Sequence, residues 1–351
     1  MSKPKKIKSF DPNGIGVDNG HFIGLPFNEE ESDLVLISVP WDVTVSYRAG
    51  TASGPDNILQ ASRQLDLFDA DYPNAWQRGI YMRESPDALF ETSRTLRPQA
   101  EVYIQELEAG KEVKDYPALR EILDQINLGC VDMIRVIHQI SSTLLDKGKL
   151  VGLVGGDHSC PQGYLQALAE RHEDFGILQI DAHQDLRQAY EGFTYSHASI
   201  FYNILQMPQV RRLVQVGIRD HCDAEMEMVR QSEGRIQVYP MDELRGKQFT
   251  GQSWSEQVDR IIDDLPAKVY ISFDIDGLDP ALCPNTGTPV PGGLSYSEAR
   301  YLIKRLSASG REIIGFDLCE VAGRGKEWDG NVGARVLYTL CCAMLHQRIH
   351  S

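Results

Sequence analysis

The sequence predicts an α/β protein: one mostly parallel central sheet with helices on both faces. Three observations point there. The apolar runs are short and continuous rather than alternating, as strands covered on both sides should be. They take turns with helix-period segments along nearly the whole chain, the pattern of successive strand–helix–strand units. Three of the runs end in clusters of Asp and His, and ligands of open parallel sheets gather beyond the carboxyl ends of the strands.

The elements follow in order. Residues 1–33 carry little periodicity and read as an N-terminal extension that wraps over the surface or packs against another subunit. "LVLISVP" (34–40) is the first strand, followed by a helix over 54–67. Residues 85–115 are polar and helix-prone with no strand of their own, so they read as a helical insertion running into a long helix over 116–147. "KLVGLVGG" (149–156) and "FGILQID" (175–181) are strands around a helix over 159–171. "RLVQVGI" (212–218) and "RIQVYP" (235–240) enclose a helix over 222–232. A helix over 254–264 leads to "KVYISFDID" (268–276), and one over 295–308 to "EIIGFDL" (312–318). An apolar helix over 334–347 closes the pattern. A single domain over 34–351 is the economical reading.

Composition narrows the function. Net charge is −15 over 351 residues, which argues against nonspecific binding of nucleic acid or anionic membrane and suits a cationic substrate. No apolar run approaches the roughly 20 residues of a membrane-spanning helix, and the basic N-terminus is not followed by a signal-peptide core. Seven scattered cysteines with no CxxC pair read as reduced thiols, so a cytoplasmic protein is expected.

The chemistry lies in the strand ends. In "DAHQD", Asp181, His183 and Asp185 occupy alternate positions and begin on one face of an extended chain. A straight strand would hold Asp181 and Asp185 roughly 13 Å apart, too far for one ion. The chain must therefore curl, or the three must serve two ions. "SFDIDGLDP" places Asp274 and Asp276 in the same alternation, and "GGDHS" presents Asp157 and His158. A phosphate-binding P-loop would need Gly-Lys-Ser/Thr after the glycines, which is missing. Four carboxylates crowded together would repel and take up protons unless cations were present. Two divalent ions cancel four such charges, with Asp181 and Asp274 each placed to bridge both. Carboxylate oxygens with one imidazole per ion suit Mn²⁺, with Ni²⁺, Co²⁺ and Fe²⁺ as alternatives.

At these residues the sequence resembles the ureohydrolase superfamily of arginases, agmatinases, formimidoylglutamases and related guanidino-compound hydrolases. The matches are "GGDHS" (155–159), "DAHQD" (181–185) and "SFDIDGLDP" (272–280), supported by "PWDVTVSYRAGTASGP" (40–55), "SHAS" (196–199), "GTPVPGGLS" (287–295) and "GFDLCEV" (315–321). The resemblance implies an arginase-like three-layer α/β/α fold and a homo-oligomer, commonly a trimer or hexamer. It implies one metal on His158, Asp181, Asp185 and Asp274, and a second on Asp181, His183, Asp274 and Asp276. A hydroxide bridging the two would attack the guanidinium carbon, hydrogen-bonded by Asp185. Glu320 matches the glutamate that holds the guanidinium, and His197 the histidine that shuttles protons to the leaving amine. Tyr195 and Trp328 are candidates for the pocket wall.

Departures from the subfamilies bear on the substrate. The Asn-containing segment with which arginases grip the amino-acid head is replaced by "LRQAYEGFTYSHAS" (186–199). Formimidoylglutamases share the "DLR" run but usually lack the histidine at the position of His197. Agmatinases and guanidino-acid hydrolases are closest in motif, so agmatine is the first guess. A guanidino acid or free guanidine is the alternative, with Arg187 or Arg324 placed to pair a carboxylate. Two other classes fit less well: a binuclear phosphoesterase would need more basic residues near the metals than Arg187, and a noncatalytic metal-binding scaffold would need neither Glu320 nor His197.

Overall fold

The computed structural model describes residues 2–323 and 328–347. Its centre is one eight-stranded sheet in the order β2-β1-β3-β8-β7-β4-β5-β6, with every pairing parallel. The strands are β1 (Leu34–Val39), β2 (Ile80–Arg83), β3 (Leu150–Gly155), β4 (Phe175–Ile180), β5 (Val210–Val216), β6 (Ile236–Tyr239), β7 (Lys268–Asp274) and β8 (Glu312–Cys319). The helices that precede the sheet centre are α1 (Lys3–Ser9), α2 (Gly54–Ser62), α3 (Asp87–Glu108), α4 (Pro117–Asp146) and α5 (Gln162–Ala169). The rest are α6 (Ile200–Ile204), α7 (Asp223–Gln231), α8 (Met241–Phe249), α9 (Trp254–Asp263), α10 (Tyr296–Ser307) and α11 (Trp328–Gln347).

The continuous apolar strands are explained by two cores, one on each face. Because side chains alternate along a strand, Leu34 and Leu36 of β1 enter one core while Val35, Ile37 and Val39 enter the other. The first core is closed by Ile58 of α2, Val258 and Ile261 of α9, Leu302 of α10 and Leu337 of α11. The second is closed by Tyr103 of α3, Met133 of α4, Leu165 of α5 and Phe201 of α6. The result is the three-layer α/β/α arrangement. Among the described residues no helix is long and apolar enough to cross a membrane, and all seven cysteines are free thiols.

Some elements lay below the sequence signal. β2 is a four-residue edge strand with Tyr81 and Arg83 half-exposed, so it shows no continuous apolar run. α8 buries only Met241 and Leu244 and contains Gly246, so no apolar stripe announces it. Within residues 1–33, Phe22, Leu25 and Phe27 are fully buried in the same core as Leu34, and α1 is tied down by Lys3 to Asp33 and Lys6 to Glu31. Residues 85–115 form α3 and a short turn of 3₁₀ helix before α4, with Leu89, Leu96, Ala100 and Tyr103 on its buried face.

Candidate active site

Strands β3, β8, β7 and β4 are consecutive neighbours in the sheet, and all run the same way. Their carboxyl ends therefore deliver His158, Glu320, Asp274 and Asp181 side by side, although these residues are up to 162 positions apart in the chain.

Each segment reaches its position for a local reason. After β3 the chain passes so close to Trp41 that a Cβ on Gly156 would lie 2.0 Å from the Trp41 carbonyl oxygen; only glycine fits. Asp157 then serves the turn itself. Its Oδ1 accepts from the Ser159 amide at 3.0 Å, and its Oδ2 from the Thr44 hydroxyl at 3.2 Å. After β4, Asp181 Oδ1 accepts from the His183 amide at 2.6 Å and Oδ2 from Gln179 Nε2 at 2.8 Å. That bond supplies the expected curl. Asp185, with φ of 55°, completes it, a conformation that costs an L-residue about 1–3 kcal/mol. After β7, Asp274 Oδ1 accepts from the Asp276 amide at 2.8 Å, and Asp276 Oδ1 from the Ala182 amide at 3.0 Å, locking the two acidic turns together. Glu320 also has positive φ, 63°, and its Oε1 accepts from the His158 amide at 3.0 Å.

Two groups of donors result: His158, Asp181 and Asp185, and Asp181, His183 and Asp276, with Asp181 common to both. His158 Nδ1 lies 3.0 Å from Asp181 Oδ2, 3.0 Å from Asp185 Oδ2 and 3.3 Å from Asp274 Oδ2. Yet it makes a hydrogen bond with none of them, and Asp276 Oδ2 and Glu320 Oε2 are likewise buried without a partner. Buried polar atoms are almost always satisfied, so His158 Nδ1 and Asp276 Oδ2, each left over in one of the two donor groups, mark a place shaped for cations. His183 Nδ1 stands 3.1 Å from Asp276 Oδ2.

The electrostatics agree. Burial pushes Asp185 up to about 7, reinforced by the charge on Asp181. Burial and then Asp276 raise Asp274, and burial with Asp157 raises Glu320. Burial alone would lower His158 and His183, but the surrounding aspartates outweigh it and hold both imidazoles well above their ordinary range. The cluster is short of positive charge, which two divalent cations would supply. His197 is the exception: burial, then the charges on His183 and His158, push it down to about 3, so its ring is neutral near pH 7. Its Nε2 is 3.5 Å from Ser46 Oγ, and its Nδ1 is buried with no partner.

A cavity of about 240 Å³ opens over this cluster, lined by His183, Asp185, His197 and Arg187 among others. Tyr195 is not on its wall. It lies instead beside Ile134 and His138 of α4 and Gln162, at the turn that leads into the 3₁₀ segment His197–Ser199. The aromatic facing the pocket is Tyr190, whose ring meets His197 edge-on at 6.3 Å. Trp328 is 53% exposed at the start of α11 and does not line the cavity, and Arg324 lies outside the described residues. Sequence reasoning missed Ser46, Tyr47, Asp220, His221 and Glu225 on the wall. His221 reads as a surface histidine, and the one available signal was its position directly after the β5 strand end. Arg219 was also missed. Its guanidinium donates to the carbonyls of Gly217, Asp276, Leu278 and Val290, stapling the pocket wall at 288–291 to the acidic turn after β7.

Fold and site together define a parallel α/β protein with a buried Asp/His cluster able to hold cations, and comparison narrows this. The arginase family model matches residues 32–343. An N(1)-aminopropylagmatine ureohydrolase of Thermus thermophilus is 30% identical, covering 88% of this chain and 89% of its own length. An agmatinase of Bacillus anthracis is 29% identical, covering 84% of each chain. Proclavaminate amidino hydrolase from Streptomyces clavuligerus has the same fold, with a TM-score of 0.72 at 22% identity over 95% of this chain and 100% of that one. The chain belongs to the arginase family. It is an amidinohydrolase of the ureohydrolase type resembled in sequence.

Proposed function

We propose that the protein hydrolyses a C–N bond of a small guanidino compound, releasing urea and an amine, with two divalent cations bound per subunit, Mn²⁺ foremost and Ni²⁺ as the alternative. The observation that carries this is the pair of largely buried donor groups sharing Asp181, in which His158 Nδ1 and Asp276 Oδ2 make no hydrogen bond. His158, Asp181, Asp185 and Asp274 would hold one ion, and Asp181, His183, Asp274 and Asp276 the other. When bound, such a pair supplies Lewis acidity and a water that ionises near pH 7.

The chain's own groups do the rest. A guanidinium carbon is a poor electrophile because three nitrogens share its charge, so the substrate must be held close and in one orientation. Glu320, buried with Oε2 free of any partner, is suited to accept two N–H bonds from the guanidinium and fix its plane. Asp185, on the cavity wall, is suited to hydrogen-bond the attacking hydroxide and hold it in line. His197, neutral and buried at the cavity wall, is suited to relay a proton to the departing amine, whose release would otherwise stall.

The test is urea release by protein loaded separately with Mn²⁺ and Ni²⁺, over agmatine, arginine, guanidino acids and guanidine. Wild type should release urea from at least one of these, and Asp276→Asn should abolish it with the assembly intact. Loaded protein that releases no urea from any guanidino compound overturns the reading. A homo-oligomer, trimer or hexamer, in the cytoplasm is the expected setting, and light scattering reads the assembly.

A further inference from the structure

The cluster explains one end of the substrate, and the outer wall of the cavity bears on the other. Outside the cluster, the arginine and carboxylates on that wall are Arg187, Asp220 and Glu225. Glu225 is committed elsewhere. It is 4% exposed, and its Oε1 accepts from the Leu186 amide at 3.1 Å while Oε2 accepts from the Cys222 amide at 2.9 Å, closing the capping box of α7. Asp220 is exposed, so water screens it.

Arg187 is different. Its backbone is fixed by its amide donating to the Ala198 carbonyl at 3.1 Å. Its guanidinium lies over the Tyr190 ring at 4.7 Å, and that ring in turn meets His197. Among the described residues the guanidinium makes no hydrogen bond, and its ion-pair contact is a distant 3.9 Å from Nε to Glu225 Oε2. A half-buried, stacked arginine with its N–H fork unused presents a bidentate socket for a planar anion. A tail ending in a second ammonium would instead meet a fixed like charge on the wall that also carries His197.

We propose that the substrate's far end is a carboxylate held by Arg187, so that the substrate is a short ω-guanidino acid. This rests on the reading of the cluster as a guanidino hydrolase site. The substrate is then a zwitterion, its guanidinium matched to the acidic cluster and its carboxylate to Arg187 on the cavity wall. A molecule of zero net charge is also little drawn by a protein of net charge −15, so turnover at low substrate should depend weakly on ionic strength.

Steady-state urea release with 4-guanidinobutyrate, 3-guanidinopropionate and agmatine, on metal-loaded wild type, Arg187→Met and Arg187→Lys, tests the proposal. Wild type should favour a guanidino acid over agmatine. Arg187→Met should raise KM for the acid about 10- to 100-fold with kcat within about threefold, and leave KM for agmatine unchanged or lower. Arg187→Lys should recover part of the loss, as a point charge without the fork. Equal metal content and unfolding temperature across the three proteins keep a folding defect apart from a lost contact. Preference for agmatine over both acids would overturn the proposal and leave the hydrolase reading standing. So would an Arg187→Met loss shared equally by acid and amine substrates. Loaded protein silent towards every guanidino compound would bring down the hydrolase reading and this one with it.

Discussion

If the cluster holds two cations as proposed, replacing Ser272 by Ala should weaken the position of His158 and spare the other. His158 Nε2 is 2.9 Å from Ser272 Oγ, and that hydroxyl's single proton is committed to Asp317 Oδ2 at 2.7 Å. Ser272 must therefore accept from His158 Nε2–H. This keeps a proton on Nε2, so that with a cation bound Nδ1 would be the nitrogen left to hold it among Asp181, Asp185 and Asp274. All three members of the chain are 0–1% exposed, so water is not at hand to replace the hydroxyl. Without it the imidazole loses its orienting acceptor, and Asp317 loses its 2.7 Å hydroxyl donor while keeping the Phe273 amide at 3.3 Å. Outer partners of metal-binding histidines are typically worth about 10- to 100-fold in affinity, or about 1.4–2.8 kcal/mol. A buried carboxylate short of one donor costs about 1–3 kcal/mol of folding free energy besides.

Calorimetric titration of metal-free protein with Mn²⁺ reads the first effect, and denaturant unfolding of the same sample the second. Binding at the position that includes His158 should weaken by the stated factor, while the position of His183 and Asp276 stays within about threefold. Two unchanged affinities in a folded variant would refute the relay and leave Ser272 a packing residue. Weakening of both positions alike would refute the claim that the effect passes through His158.

Two further outcomes follow from groups away from the metal positions. Thr44→Val removes a buried hydroxyl that accepts from the His197 amide at 3.2 Å and donates to Asp157 Oδ2 at 3.2 Å; it should lower kcat with KM within about twofold, read by steady-state urea release, and cost about 1–3 kcal/mol by thermal unfolding. Glu298 joins α8 to the start of α10. Burial would raise it, but Arg245 and the Ser295 amide outweigh that and hold it at about 2, against an ordinary 4.5. A depressed carboxylate contributes stability above its unfolded pKa and loses it as pH falls through the folded one. Glu298→Gln should therefore cost about 1–2 kcal/mol near pH 7 after discounting for solvent screening, with the gap to wild type closing as pH drops from about 4.5 towards 2 in denaturant titrations.

Much of this was legible in the sequence because buried parallel strands leave unbroken apolar runs and because site residues sit at their ends. "FGILQID" and "KVYISFDID" each declare a strand and its ligands in one stretch. β2 and α8 were not legible, since an edge strand and a helix with two buried residues need no pattern. The pocket wall was harder for a different reason. Tyr190 and Tyr195 are both tyrosines in one loop, and that loop is held from a distance, with Asn127 Oδ1 of α4 accepting from the Thr194 amide at 2.9 Å. Such a contact across 67 positions has no local signature.

The same limit explains the two strained site residues. Asp185 and Glu320 hold positive φ, which local preference opposes by about 1–3 kcal/mol each. Distant contacts impose it. The Glu320 amide donates to the Gly156 carbonyl at 2.7 Å, and the Glu320 carbonyl accepts from Thr286 Oγ1 at 2.8 Å. The Asp185 carbonyl accepts from the Phe201 amide at 3.1 Å at the head of α6. In each case a carboxylate is turned out of the strand direction and held there by partners from other segments. A straight exit would carry Asp185 away from His158 and Glu320 away from the His158 amide. The strain is thus part of what assembles the cluster, and it is sustained by the neighbouring strand ends that the sheet order brings together.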